Sequence, residues 1–457
     1  MIVMKFGGTS VESAAAISRV AGIVRARLDR QPVVVVSAMG KTTNRLLAMA
    51  AEAAEGQRER ALEQLNALRE YHFEEARPLV AQADVAELES LVAAHFHELE
   101  ELLGGLALMG ELTPRHIDAV SSYGERLSSR IVTLAFRAAG MDAVHLDSRR
   151  LIVTDRRHTQ AAPLYAESYA RLSREVAPLA QAGRVVVMGG FLGSTEDGVT
   201  TTLGRGGSDF TAAIVGAGIG AEEIQIWTDV DGMMTADPNS VPEAHRLKVL
   251  SFSEAAELAY FGAKVLHPAT VWPAVEKNIP VLILNSRKPL APGTRIIREA
   301  VACANPVKSI ACKKNITVVD IRSTRMLMAH GFLARIFEVF DRCETPVDMV
   351  STSEVSVSAT IDNTRRLAEI RAELEHFAEV SVLDQCAIVC VVGDNIRYTP
   401  GIGARVFPAL GGVNALMISQ GGSQWNLSVV VKEADVLQAV RALHAEFFRE
   451  LDPAVFE

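Results

Sequence analysis

The chain has 457 residues, 55 acidic against 46 basic, for a formal net charge of −9. With no sustained Lys/Arg patch, that balance argues against nucleic acid as the main partner and favours a small-molecule ligand. Hydrophobic residues make up 49% of the sequence, but no apolar run approaches the roughly eighteen residues that read as a membrane span, so no membrane partner is expected.

The length exceeds one ordinary domain, so two or three are expected. The start, MIVMKFGG, lacks a basic n-region followed by an apolar h-region, and a cytoplasmic location is expected. Five cysteines (Cys303, Cys312, Cys343, Cys386 and Cys390) form no CxxC pair and read as reduced structural thiols.

In chain order, the apolar run Ile2 to Met4 reads as a strand feeding the glycine turn KFGGTS, Lys5 to Ser10. Adjacent glycines let backbone N–H groups approach an anion, and Lys5 adds a cation beside them. The hydroxyls of Thr9 and Ser10 are placed to cap a helix starting near Val11. Val33 to Val36 is a second strand. The following Gly40, Lys41 and Thr42 imitate the end of a P-loop, but Val35 stands where that motif needs glycine.

From about Leu46 to Leu112 the chain is rich in Ala, Glu and Leu and reads as a helical insertion. Its His95 and His97 lack a third ligand at metal-site spacing and are taken as a solvated helix face. Arg184 to Met188 is another strand. A second glycine-rich loop, LGRGGSD (Leu203 to Asp209), then opens a helix, near whose end Gly216, Gly218 and Ala221 read as helix-terminating and not as a dinucleotide fingerprint.

The strand Ile224 to Trp227 ends in WTDVDG, and Val281 to Leu284 closes the series. Short apolar runs between helices predict an α/β fold with a mostly parallel sheet covered on both faces. Two glycine loops and a carboxylate turn together point to a nucleotide kinase site.

After Asn285 the segment SRKPLAPGT reads as a linker. Beyond it GFLARIF (Gly331 to Phe337) recurs as GIGARVF (Gly401 to Phe407). Each copy starts a helix and leads to a pair of strands, which predicts two ferredoxin-like βαββαβ units.

KFGGTSV, LGRGGSD, WTDVDG with TADP, and FGAKVLHP, in that order, resemble the aspartokinases of the amino-acid kinase superfamily, over nearly the whole chain, and VDMVSTSEVSVS (Val347 to Ser358) resembles the effector loop of the lysine-sensitive type. The resemblance implies an amino-acid-kinase three-layer sandwich over residues 1–286, carrying the helical insertion at about 46–112. It further implies a linker at 287–307 and tandem ACT domains at 308–385 and 386–457. The implied reaction is ATP-dependent phosphorylation of the L-aspartate side-chain carboxylate to 4-phospho-L-aspartate, the entry to lysine, threonine and methionine synthesis. Another amino-acid kinase, such as one acting on glutamate, and a catalytically silent amino-acid sensor are the alternatives.

An aspartate side chain, with a reference pKa near ~3.9, is ionised at neutral pH and attacks the γ-phosphate without a general base. Catalysis then rests on positioning and charge neutralisation. Lys5 is assigned to the transferring phosphoryl group, with Gly7 and Gly8 as backbone donors. Arg205 suits the substrate carboxylate as a bidentate fork, and Glu125 and Asp209 suit its ammonium. The resemblance adds Ser37, Thr43, Phe191 and Ser208 to the aspartate site, and assigns Thr228, Asp229, Met234 and Lys264 to ATP.

Met234 stands where the family commonly has an aromatic residue. Mg²⁺ is expected on phosphates and water, without a dedicated protein cage. Asp348, Ser353 and Glu354 are assigned to an L-lysine effector, whose cationic head would need carboxylates. The ACT pair implies a homo-oligomer, at least a dimer.

Overall fold

Valine-rich runs that sheet formation buries on both faces become the strands of an eight-stranded sheet. The computed structural model describes residues 1–262, 268–323 and 330–457. The chain divides into two compact units. The first comprises Met1–Met233, Lys248–Phe252 and the described residues from Pro268 to Glu299; the second comprises Met234–Leu247, a segment from Ser253, and Ala300–Glu457.

In the first unit the strands are β1 (Ile2–Phe6), β2 (Pro32–Val36), β3 (Ala143–His145), β4 (Val185–Gly189), the hairpin β5 (Leu192–Ser194) and β6 (Thr200–Thr202), β7 (Glu223–Thr228), β8 (Val249–Ser251), β9 (Val281–Asn285) and β10 (Thr294–Ile297). The large sheet runs β3-β4-β2-β1-β7-β9-β10-β8. Every pairing in it is parallel except β9 with β10. β1 therefore lies between β2 and β7, which brings the loops after these three strands to one edge of the sheet.

Helices α1 (Ala14–Arg25), α2 (Thr42–Ala54), α3 (Arg58–Ala76), α4 (Val85–Met109) and α5 (Pro114–Ala138) share one core with β1 and β2. α5 starts on a capping box between Thr113 and His116, with Pro114 in its first turn.

Several local expectations change. α1 begins at Ala14 and is capped by Ser13, whose Oγ accepts from Ala16 N; Ser10 instead donates to Ser286 Oγ at 2.9 Å. His95 is buried, not solvated. Its Nε2 lies 2.8 Å from the Tyr123 carbonyl, and burial lowers its pKa to about 3. His97 is exposed and sits 3.6 Å from Glu101.

Gly220, in the left-handed region, ends the helix Gly207–Ile219. Gly216 and Gly218 are packing positions instead, since a Cβ there would press on Ile224 and Leu172. Part of the stretch read as a linker is strand β10.

The second unit holds one antiparallel six-stranded sheet of β11 (Ser309–Arg322), β12 (Met349–Thr352), β13 (Ser356–Ile361), β14 (Glu379–Val392), β15 (Met417–Gln420) and β16 (Asn426–Lys432), in the order β12-β13-β11-β14-β16-β15. It comprises two ferredoxin-like sets. The repeated helices Phe332–Arg342 and Ile402–Leu410 both start from a glycine with positive φ, Gly331 at 77° and Gly401 at 82°, a conformation that costs glycine little.

β11 and β14 serve both sets. Thr317–Arg322 of β11 pairs with β13, while Ser309–Lys313 runs beside Ile388–Val392 of β14, the stretch that also pairs with β16. The second set thus takes its fourth strand from the beginning of β11. Among the described residues, no helix is long and apolar enough to cross a membrane.

Candidate active site

The carboxyl ends of β1, β2 and β4 open directly into glycine or serine, so three loops start side by side. Ser37 N donates to the Phe6 carbonyl at 3.0 Å, Gly190 N to the Val36 carbonyl at 2.8 Å, and Gly7 N to the Trp227 carbonyl at 3.2 Å. These bonds carry the sheet's register past the strand ends, the place where open α/β sheets bind ligands. Gly8 is held close to the next loop: a Cβ there would lie 2.8 Å from the Gly40 carbonyl oxygen. Gly190 is equally constrained, because a Cβ would come within 2.6 Å of Ser208.

Between these loops lies a cavity of about 260 Å³ lined by Lys5, Ser37, Thr43, Glu125, Phe191, Gly204, Gly206, Gly207, Ser208 and Asp209. Lys5 comes from β1, Thr43 from the first turn of α2, Glu125 from α5, and Ser208 and Asp209 from the first turn of the helix Gly207–Ile219. Ser37 Oγ donates to Ser208 Oγ at 3.1 Å. Phe191 adopts φ 67°, rare for a residue with a side chain and a form of strain that collects at functional sites. It is fixed on both sides, its N–H donating to Thr211 Oγ1 at 2.9 Å and its carbonyl accepting from Leu203 N at 3.0 Å.

The charges are unevenly matched. Lys5 Nζ lies 2.7 Å from Asp209 Oδ1, both side chains being largely buried. Glu125 is buried and its Oε2 has no hydrogen-bond partner. Burial pushes this carboxyl up to about 8, and hydrogen bonds from Ala38 and its own backbone, with the charge of Lys5, offset only part of that. A buried acid whose burial is only partly offset is a ready partner for a cation entering the cavity.

The structure therefore gathers Lys5, Ser37, Thr43, Glu125, Phe191, Ser208 and Asp209 around one cavity. Arg205 is exposed and does not line it, although its neighbours Gly204 and Gly206 do. Gly7 and Gly8 form the turn after β1. Thr228 ends β7 and donates through Oγ1 to Asp229 Oδ1 at 3.2 Å, both outside the cavity lining. Met234 belongs to the second unit, where its carbonyl accepts from Ser309 Oγ at 2.8 Å. Lys264 lies outside the described residues. Gly204, Gly206 and Gly207 were not singled out from sequence, though the LGRGGSD loop that contains them was.

Residues 1–285 match the amino acid kinase family and residues 389–447 match the ACT domain. The chain is 40% identical to chloroplastic aspartokinase 2 of Arabidopsis thaliana, over 99% of this chain and 85% of that protein. It is 35% identical to lysine-sensitive aspartokinase 3 of Escherichia coli (strain K12), over 98% and 99%. The chain belongs to the aspartokinase family.

Solved structures agree with that placement. E. coli aspartokinase III in complex with aspartate and ADP, in its R-state, superposes with a TM-score of 0.84 at 35% identity, covering 98% of this chain and all of that one. The same enzyme in complex with lysine and aspartate, in its T-state, gives 0.83 with the same identity and coverage.

In this aspartokinase the three residues assigned to an effector differ in setting. Ser353 and Glu354 are exposed at the turn between β12 and β13. Asp348 has a buried side chain whose Oδ1 takes Lys313 Nζ and Tyr260 Oη, each at 2.7 Å, while Oδ2 has no hydrogen-bond partner. Lys313 also reaches Asp362 at 2.8 Å. Burial of its ammonium opposes the charge, but the hydrogen bonds and charges of Asp348 and Asp362 raise its pKa overall.

Proposed function

We propose that this chain phosphorylates the side-chain carboxylate of L-aspartate with ATP, giving 4-phospho-L-aspartate and ADP. The carrying observation is the cavity at the carboxyl ends of β1, β2 and β4, where a lysine, two acids and glycine-rich loops converge. One oxygen of the aspartate side chain bonds to the γ-phosphorus while the bond from that phosphorus to the bridging oxygen of ADP breaks. No proton need move, because the nucleophile is already ionised. The chain's share is positioning and charge.

Glu125 and Asp209 would take the substrate ammonium. An ammonium drawing on Asp209 would loosen its hold on Lys5, whose charge is then available to the transferring phosphoryl group. Substrate binding would thereby prepare the catalytic cation. Ser37, Thr43, Phe191 and Ser208 shape the rest of the aspartate pocket, and Arg205, one residue from the lining, would turn toward the substrate carboxylate. Gly7, Gly8, Thr228, Asp229, Met234 and Lys264 are assigned to ATP.

Mg²⁺ would come with the nucleotide, on phosphate oxygens and water. Among the described residues no group of three His, Cys, Asp or Glu side chains is arranged to hold a metal ion.

We assign residues 1–286, with strand β10 beyond them, to catalysis, and 308–385 and 386–457 to sensing, with L-lysine as inhibitor at Asp348, Ser353 and Glu354. The enzyme would work in the cytoplasm as at least a dimer, at the entry to lysine, threonine and methionine synthesis. Support for lysine comes from the lysine-sensitive E. coli relative and its lysine complex.

The test is ATP turnover with L-aspartate and with L-glutamate, which differ by one methylene. Phosphorylation of aspartate with glutamate at least tenfold poorer is expected, within the range one methylene supports. Equal use of both, or turnover of neither, would overturn the reading.

A further inference from the structure

Asp118 lies on α5 seven positions before Glu125, on the same helix face, with its side chain fully buried. It does not line the cavity, yet its carboxylate is saturated with donors. Oδ1 accepts from Thr202 Oγ1 at 2.6 Å and from Thr159 N at 3.0 Å. Oδ2 faces His158 Nδ1 at 2.7 Å and Thr159 N at 3.1 Å. A buried carboxylate with this many partners ties together the elements that supply them.

Those elements frame one loop. Thr202 ends β6, and the next residues, from Leu203, are the glycine-rich loop whose Gly204, Gly206 and Gly207 line the cavity. Thr159 sits at φ 70° in the neighbouring turn, a conformation that costs a non-glycine residue energy and needs support from outside. That turn lies against the loop: a Cβ on Gly204 would fall 3.1 Å from the Thr159 carbonyl oxygen. Ala161 N also donates to the Thr202 carbonyl at 2.9 Å.

We propose that Asp118 is a positioning residue for aspartate, clamping the end of β6 and the 158–159 turn so that residues 203–207 hold their place beside Glu125 and Asp209. The proposal rests on the cavity being the aspartate site. It gives one helix two tasks, with Glu125 facing the substrate and Asp118 fixing the opposite wall. The effect is confined to the amino-acid side, because none of its partners belongs to the β1 turn or the end of β7.

The experiment compares Asp118→Asn, Thr202→Val and Thr202→Ser with wild type in steady-state kinetics, together with amide hydrogen exchange of residues 203–207. Asp118→Asn is expected to raise KM for aspartate roughly ten- to hundredfold, the scale of a small misplacement of a binding wall, while KM for ATP stays within about twofold. Thr202→Val should raise it less, and Thr202→Ser, which keeps the hydroxyl, should behave like wild type. Exchange at 203–207 should quicken in the first two variants and not in the third. Unchanged aspartate KM and exchange, or equal weakening of both substrates, would overturn the clamp. Should Asp118→Asn fail to fold, Thr202→Val decides alone. Should wild type not turn over aspartate, the substrate reading fails and loop exchange alone decides the clamp.

Discussion

Two buried carboxylates, one in each unit, are treated in opposite ways. Glu125 has an oxygen without a hydrogen-bond partner and, among the described residues, no ion pair, and burial lifts its carboxyl to about 8 against the more distant charge of Lys5. Asp348 also keeps one oxygen without a partner, but Lys313 and Tyr260 both reach the other. The first is an open place for a cation. The second already holds one, so a cationic effector at Asp348 must compete with the protein's own lysine. On the assignments proposed above, the cavity is open to a cation, whereas Asp348 would take one only in competition with Lys313.

The largest effect is expected at the cation that Glu125 lacks and Asp209 has. Lys5→Ala should lower the single-turnover rate of phosphoryl transfer by about 10²–10³-fold, the usual scale for one stabilising donor, with the fold intact by circular dichroism. A loss below tenfold would remove Lys5 from the chemistry.

Glu125→Gln should follow, raising KM for aspartate about 30-fold or more, since the substrate ammonium would be buried against a neutral amide. Its stability effect has a definite sign. A carboxyl raised from 4.5 to about 8 on folding binds its proton more tightly in the native state. It therefore contributes stability at low pH that is lost as pH rises through that window. The amide variant should then melt above wild type at pH 9 and show a flatter dependence between pH 5 and 8. Thermal scans across that range would reveal either pattern.

Arg205→Ala should raise KM for aspartate roughly tenfold, the loss expected for charge-assisted hydrogen bonds, with ATP affected less. Equal weakening of both substrates would count against a carboxylate fork. Last comes Lys313→Ala, which leaves Asp348 with Tyr260 alone. L-lysine should then inhibit at concentrations about fivefold lower, the low end of coupling between competing ligands, because Tyr260 still holds the carboxylate, while uninhibited turnover is unchanged. Unaltered or weaker lysine inhibition would mean that Lys313 and the effector do not share this carboxylate.

The same two regions differ in how much the sequence discloses. Around the cavity, the glycine loops, the valine strand and LGRGGSD lie next to the strands that position them, so local pattern reached most of the pocket. It missed β3, β5, β6 and β8, three residues each, too short for a periodic signal. It also took β10 into a linker, because prolines and a glycine just before it mask the strand.

Asp118 carries no motif; only its spacing from Glu125 places both on one face of a helix. The check on Asp348 was less legible still. Lys313 is 35 residues away in sequence and meets Asp348 only through the strand order β12-β13-β11. The exchange of strands between the two ferredoxin-like sets was hidden for the same reason, since register is a long-range property. His95 was misread because a histidine among the acidic residues of α4 looks alike whether its face is solvated or covered by α5.

The most direct test of an open, protonated Glu125 is the number of protons exchanged when aspartate binds. Titration calorimetry at pH 7 in two buffers of different ionisation enthalpy, with the full chain and no nucleotide, measures it. A carboxyl held at about 8 must give up its proton to meet the substrate ammonium, so close to one proton should be released per aspartate by wild type and none by Glu125→Gln. Release of no proton by wild type, or equal release by both, would contradict the account.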